Sequence, residues 1–367
     1  MDILDLDMRD AAIQGTEKQW TPPSNFPDLT IYDRIAVDLE TRDPNIKTLG
    51  PGWCRDDGYI IGVAIAAGDF VGYYPIRHES GEKFSEKKVF NWLKKQLETP
   101  DIEKIMHNAM YDLGWLRWAG IEVQGPIIDT MIAAPLLNEN RMYYNLDSLA
   151  REYLGERKDE KILKAAANAF GVDPKGGMWR LPSHYVGPYA EQDAAVTLRL
   201  WDRLRADLIK DECTSIFDLE SNLLPVLLDM KARGVRVDID KAEQVQKELK
   251  KREDVLLAEI KDLTQVNVEP WVATSIAKAF DAVGLTYERT QNTDAPSFTK
   301  QFLSNHEHPL AQKIVRLREF NKANTTFIET ILEHSHNGRI HCDFNPLRSD
   351  EGGTVTGRFS SSNPNLQ

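Results

Sequence analysis

Residues 35–41, Ile35-Ala36-Val37-Asp38-Leu39-Glu40-Thr41, decide the reading: an apolar run ends in two acids separated by a single residue. In an extended chain, residues two apart point to the same side. A strand through this stretch therefore sets the Asp38 and Glu40 carboxylates side by side at its end. One such triplet carries little weight. Asp101-Ile102-Glu103 and Asp218-Leu219-Glu220 repeat the pattern, the latter in a helical segment where residues two apart diverge. The ordinary role for any one of them is capping or surface solvation.

Around this stretch, from about 29 to 206, strand and helix signals alternate, as in a mixed α/β layer domain. Residues 31–37 read as a strand. Residues 60–65 and 70–74 read as a strand pair about the turn Ala67-Gly68-Asp69. Residues 85–97 read as a helix with Ser85 as N-cap and Val89, Leu93 and Leu97 at four-residue spacing. A short strand at 104–106 feeds a further helix. Residues 1–28 read as a tail or arm. From about 207 long helical patterns take over, at 216–232, with Pro225 as a kink and Gly234 just beyond the end, and at 241–266, 274–283, 298–304 and 309–334. Residues 339–344 and 354–360 read as a closing hairpin. The expected domains are thus 29–206 and 207–367.

Two further patterns join the first. His107-Asn108-Ala109-Met110-Tyr111-Asp112 opens a helix after a strand, so Asn108 and Asp112 share a face. Asn108 suits an N-cap. Asp112 sits in an otherwise apolar stretch with no evident partner. Tyr189-Ala190-Glu191-Gln192-Asp193 repeats the four-residue spacing, with Glu191 and Gln192 expected to face elsewhere and be solvated.

Together and in this order, the three patterns resemble the three exonuclease motifs of the proofreading 3′→5′ exonuclease superfamily. The stretches 126–131, 145–150 and 193–197 look like their counterparts there. The resemblance implies a ribonuclease H-like α/β domain and hydrolysis of phosphodiester bonds. It implies two divalent ions, magnesium or alternatively manganese, with Asp38 bridging both, Glu40 and Asp193 completing one sphere, and Asp112 acting through water. Tyr189 would orient the attacking water, and Asn108 and Tyr111 would meet the DNA. The residue types suit that chemistry, because hard cations take oxygen ligands. Four carboxylates brought together without cations would repel.

The second half resembles the start of the polymerase region of family A DNA polymerases, of the bacteriophage type. Residues 220–238, 316–322 and 338–341 carry the likeness. The fourteen-residue tract Thr354-Val355-Thr356-Gly357-Arg358-Phe359-Ser360-Ser361-Ser362-Asn363-Pro364-Asn365-Leu366-Gln367 carries most of it. The resemblance implies minor-groove contacts by Arg358 and Gln367, with Arg318 and Lys322 near the DNA. It also implies a mostly helical, thumb-like region ending in the hairpin. The expected partners are single-stranded 3′ ends and primer–template DNA. The family's palm and fingers do not follow in these 367 residues, so a second chain carrying them is a further expectation, and primer extension by this chain alone is not expected. Two other functions compete: a free-standing exonuclease on RNA or single-stranded DNA, and a non-catalytic primer–template clamp.

Composition bounds these readings. A net charge of −12 argues against coating DNA through a general positive field, yet not against local contact. No stretch approaches a membrane span. Three scattered cysteines exclude a disulfide scaffold or zinc site and point to a reducing, cytoplasmic setting.

Overall fold

A computed structural model describes residues 20–350 and 352–366. The chain forms two compact units: Met1–Gly234 with His341–Gln367, and Val235–Ile340.

The first unit is built on a five-stranded sheet. Its strands are β1 (Arg34–Arg42), β2 (Tyr59–Ala67), β3 (Phe70–Pro75), β4 (Glu103–Met106) and β5 (Ile127–Asp129), in the order β3-β2-β1-β4-β5. The β2–β3 turn makes that pair antiparallel, and β1 pairs antiparallel with β2. Strands β4 and β5 join parallel to β1, each after a helical crossover. The sheet is packed on both faces, so β1 and β2 carry near-continuous apolar runs rather than alternation.

Helices α1 (Glu86–Leu97), α2 (Ala109–Trp118), α3 (Thr130–Leu137), α4 (Lys161–Phe170), α5 (Ser183–Lys210) and α6 (Thr214–Arg233) cover it. Helix α5 packs on β1, β2 and β3. The spacing of Val89, Leu93 and Leu97 does place all three in the core, whereas Ser85 makes no side-chain cap. Helix α6, where the helical texture begins in sequence, packs into this unit through Phe217, Leu224 and Leu228. Pro225 lies inside it, and Gly234 ends it at φ +66°.

Residues 341–366 return to the same unit. Strands Asp343–Asn345 and Ser360–Ser362 pair antiparallel. The Lys231 ammonium, 3% exposed, pairs with Asp343 and lies over the Trp53 ring. His341 Nδ1 meets the Lys231 carbonyl at 2.8 Å. A cavity of about 70 Å³ lies beneath this segment, with Asn108, Tyr111 and Asp129 among its walls.

The second unit is mostly helical. Helices α7 (Ile239–Thr264), α8 (Ala273–Ala282), α9 (Lys300–Asn305) and α10 (Pro309–Lys322) enclose Ile260, Ile276, Phe280, Leu303, Leu310, Ile314 and Leu317. The pattern over 309–334 is helical throughout but not one α-helix: residues 323–329 widen into π turns before a last short helix at Thr330–Glu333. Arg339–Ile340 pairs with Val235–Arg236 and Ser335–His336, while Asp343–Asn345 forms the closing strand pair of the first unit. No described helix is long and apolar enough to cross a membrane.

Candidate active site

The site forms where β1 runs past its parallel neighbour. Pairing with β4 ends at Ala36–Ile105, whereas β2 stays paired to Arg42. The edge of β1 beyond Ala36 is therefore open on one side. Asp112 closes it from α2: its Oδ1 accepts the Leu39 N–H at 3.0 Å. That hydrogen bond holds the third carboxylate beside the backbone that separates Asp38 from Glu40. The register shift between Glu40 and Thr41 marks a bulge at the same point.

Asp193 and Tyr189 come from α5, one turn apart. Both residues are buried. Asp38, Glu40, Asp112 and Asp193 thus meet from β1, α2 and α5. Their mutual influence is electrostatic as well as spatial. Burial, then the Asp193 charge, pushes Asp38 up to about 7. Burial, followed by Asp38, holds both Glu40 and Asp112 well above the ordinary carboxylate range. Burial raises Asp193 too, opposed by Lys158.

Lys158 was not among the residues read from sequence. Its side chain is 7% exposed, and Nζ lies 2.5 Å from Asp193 Oδ2 and 3.2 Å from the Tyr189 hydroxyl. The other Asp193 oxygen, Oδ1, is buried with no hydrogen-bond partner among the described residues. Asp129 was also missed as a site-shaping group. One carboxylate accepts from Asn108 N, Ala109 N and Met131 N, at 3.0, 2.8 and 2.8 Å, and so starts both α2 and α3. Asn108 is accordingly not a side-chain N-cap. It takes the left-handed conformation, φ +70°, where the chain turns from β4 into α2.

Tyr111 lies on the next turn, with its hydroxyl 2.5 Å from Thr41 Oγ1 and 3.4 Å from Asp43. His107 Nδ1 meets Thr130 Oγ1 at 2.8 Å. Glu191 is not solvated: it accepts from Trp20 Nε1 and Tyr73 N at 2.9 and 3.0 Å. Gln192 accepts the Asp159 N–H.

The candidate DNA contacts lie elsewhere. Arg318 and Lys322 are on α10 in the second unit. Arg318 donates to the carbonyls of Pro270 and Phe298, each at 2.7 Å, and stacks on Trp271. Lys322 and Arg358 are exposed. Gln367 lies outside the described residues.

The donors at the carboxylate cluster are oxygens, the set that hard divalent cations take. The unpartnered Asp193 Oδ1 is a buried acceptor of that kind. By chemistry the residues fit magnesium or manganese. Among the described residues, no three Asp, Glu, His or Cys side chains stand at ligating distance from one common point. An ammonium occupies the position beside Asp193 instead.

Comparison with known proteins gives the class of this chain. Residues 24–209 match the family model described as 3′-5′ exonuclease, and residues 239–367 match DNA polymerase family A. The chain belongs to the family A DNA polymerases that carry a 3′-5′ exonuclease domain. A DNA-directed DNA polymerase of Pseudomonas phage M6 is 35% identical over 95% of this chain. DNA polymerase I of Chloroflexus aurantiacus is 30% identical over 84%. The chain spans 55% and 33% of those two proteins. The solved POL domain of Pol1 from M. smegmatis, in complex with DNA primer-template and dNTP, shares the fold. Its TM-score is 0.70 at 20% identity, over 92% of this chain and 52% of that one.

Proposed function

We propose that the first unit removes nucleotides from DNA 3′ ends, with Asp38, Glu40, Asp112 and Asp193 holding two divalent ions. The strand order β3-β2-β1-β4-β5, antiparallel on one side and parallel on the other, supports a ribonuclease H-like domain. The observation that carries the reading is the convergence of four buried or half-buried carboxylates, each raised above its ordinary range. Such a gathering is unfavourable without cations and useful with them.

Bound ions would supply a hydroxide nucleophile and relieve charge on the leaving oxygen. The chain's own groups do the rest. Asp38 and Glu40 are fixed by strand pairing. Asp112 is held in place by the Leu39 N–H. The Tyr189 hydroxyl, whose ionisation burial holds well above its usual range, stays protonated and can donate to an attacking water. Asn108, just before α2, and Tyr111, in its first turn, are assigned contact with the last bases of a strand.

For the second half, the same reading assigns primer–template contact to Lys322 and Arg358, whose exposed side chains can reach phosphates. Arg318 is tied to two carbonyls, so its reach to DNA requires giving up those bonds. Gln367 and the hairpin-like pairing at 343–362 belong to the same proposed contact. The reading holds equally for a chain that carries palm and fingers itself and for one that meets them in a second polypeptide. A cytoplasmic setting goes with it.

The test is magnesium-dependent shortening of a 5′-labelled single strand. Asp38→Ala or Asp193→Ala should lower the rate on the order of a thousandfold with the fold intact, as expected when several kcal/mol of transition-state charge stabilisation is removed. Near-wild-type activity in either variant would overturn the assignment. Equal degradation of RNA would favour the free-standing nuclease instead.

A further inference from the structure

We propose that Lys158 is a built-in counter-cation, held against Asp193 while the carboxylate site has no divalent ion and displaced when one is taken up. The proposal rests on the metal-site reading above. Lys158 lies in the run Gly155-Glu156-Arg157-Lys158-Asp159-Glu160-Lys161, a stretch of charge that would ordinarily be solvated. Its side chain is nevertheless buried, and its position is not that of a loose surface lysine.

The loop is pinned on both sides of it. Lys158 N donates to Asp147 Oδ1 at 3.2 Å, and Asp159 N donates to Gln192 Oε1 at 2.9 Å on α5 itself. Gln192 Nε2 returns a bond to the Arg157 carbonyl at 3.5 Å. The ammonium is thereby delivered to Asp193 Oδ2, to the Tyr189 hydroxyl and over the Tyr189 ring at 4.6 Å. Two carboxylates besides Asp193, those of Asp38 and Glu40, lie near enough for their charges to couple to Asp193 and Lys158. One buried cation among them offsets part of their repulsion.

An ammonium at hydrogen-bond distance and a metal ion at about 2.0–2.6 Å cannot both use the same carboxylate oxygen without strong like-charge repulsion. The two cations therefore compete. Two roles could be assigned to such a lysine. A structural tie would make the site stronger, so removing it would loosen the carboxylates and weaken ion binding. A counter-cation has the opposite signature: removing it should tighten ion binding.

That opposition gives the experiment. Manganese is titrated into the full chain without DNA, and free ion is read by electron paramagnetic resonance. The wild type is compared with Lys158→Met, Lys158→Arg and Asp193→Asn. Lys158→Met should bind manganese on the order of tenfold more tightly than wild type, the size expected for removing a like charge from a partly buried neighbour. Lys158→Arg, which keeps the charge, should stay near wild type. The thermal midpoint of Lys158→Met should also rise more on adding manganese than that of wild type. If Lys158→Met does not fold without metal, Lys158→Gln carries the same expectation.

Unchanged or weaker manganese binding in a folded neutral variant overturns the proposal. If that happens while Asp193→Asn still abolishes binding, only the role of Lys158 falls. If wild type binds no manganese that Asp193→Asn removes, the metal site itself falls, and this proposal with it.

Discussion

Replacing Asp38 with asparagine should stabilise the metal-free protein at alkaline pH. Asp38 moves from an ordinary 3.8 to about 7 in the folded chain, chiefly because burial and the Asp193 charge disfavour its ionised form. The sign follows from proton linkage. Folded Asp38 holds its proton more tightly than the unfolded residue, so its contribution to stability is full below pH ~4. It is lost as pH rises through about 7. A displacement of about three pH units corresponds to about 4 kcal/mol. This is a ceiling, because Glu40, Asp112 and Asp193 share the proton uptake. Asparagine removes the charge and keeps the shape. Urea unfolding in the presence of a chelator, followed by tryptophan fluorescence, measures the difference. Asp38→Asn should gain up to ~4 kcal/mol over wild type near pH 8 and almost nothing near pH 4, and it should lose the stabilisation that magnesium gives wild type. A variant no more stable than wild type near pH 8, or a gain equal at both pH values, would refute the electrostatic account of the cluster.

Three other outcomes follow from the fold. Gly62→Ala on β2 would place a Cβ 2.1 Å from the Tyr73 hydroxyl, which is bonded to His78 Nε2 at 2.7 Å. A loss of about 1–3 kcal/mol in urea unfolding is expected from the forced displacement. Lys104, fully buried, donates to the carbonyls of Thr99, Ile102 and Gln124. Lys104→Met leaves them without that donor and should destabilise by roughly 3 kcal/mol or more in the same assay. Burial pushes the Cys54 thiol up to about 12, so mass spectrometry should find it unalkylated by iodoacetamide near pH 8 until the chain is unfolded.

The sequence showed β1, β2 and β3, because long apolar runs broken by Ala67-Gly68-Asp69 have few other readings. It also showed α1 and α5 through four-residue spacing. Asp38 and Glu40 were read as a pair because a strand turns residues two apart to one side, and Asp112 and Asp193 because helical spacing sets each four residues from a polar neighbour. What was not legible depends on long-range contact. Asp129 reads as one more acid at a strand end, yet it starts two helices at once. Lys158 reads as solvated because its neighbours are charged, and only the packing of its loop against α5 brings it inside. Glu191 was expected in water because its helical phase differs from that of Asp193. That phase in fact turns it toward the Tyr73 backbone and Trp20. The last strand was expected from 354 onward, and its partner was placed too early. The chain first crosses its own second unit at Arg339–Ile340 and pairs with Ser360–Ser362 only after returning.

That return has a practical meaning. The second unit is spliced into the first, entering after Gly234 and leaving at His341, and Val235–Arg236 and Arg339–Ile340 lie side by side as paired strands. An insert whose two ends are neighbours can be lifted out and bridged by a short linker. A nick by protease within α7–α10 would not set the C-terminal tract loose either, since Lys231 and Asp343 would still clasp it to the rest of the first unit. The helical unit is thus a cassette, and the segment after it remains tethered by side-chain contacts of its own.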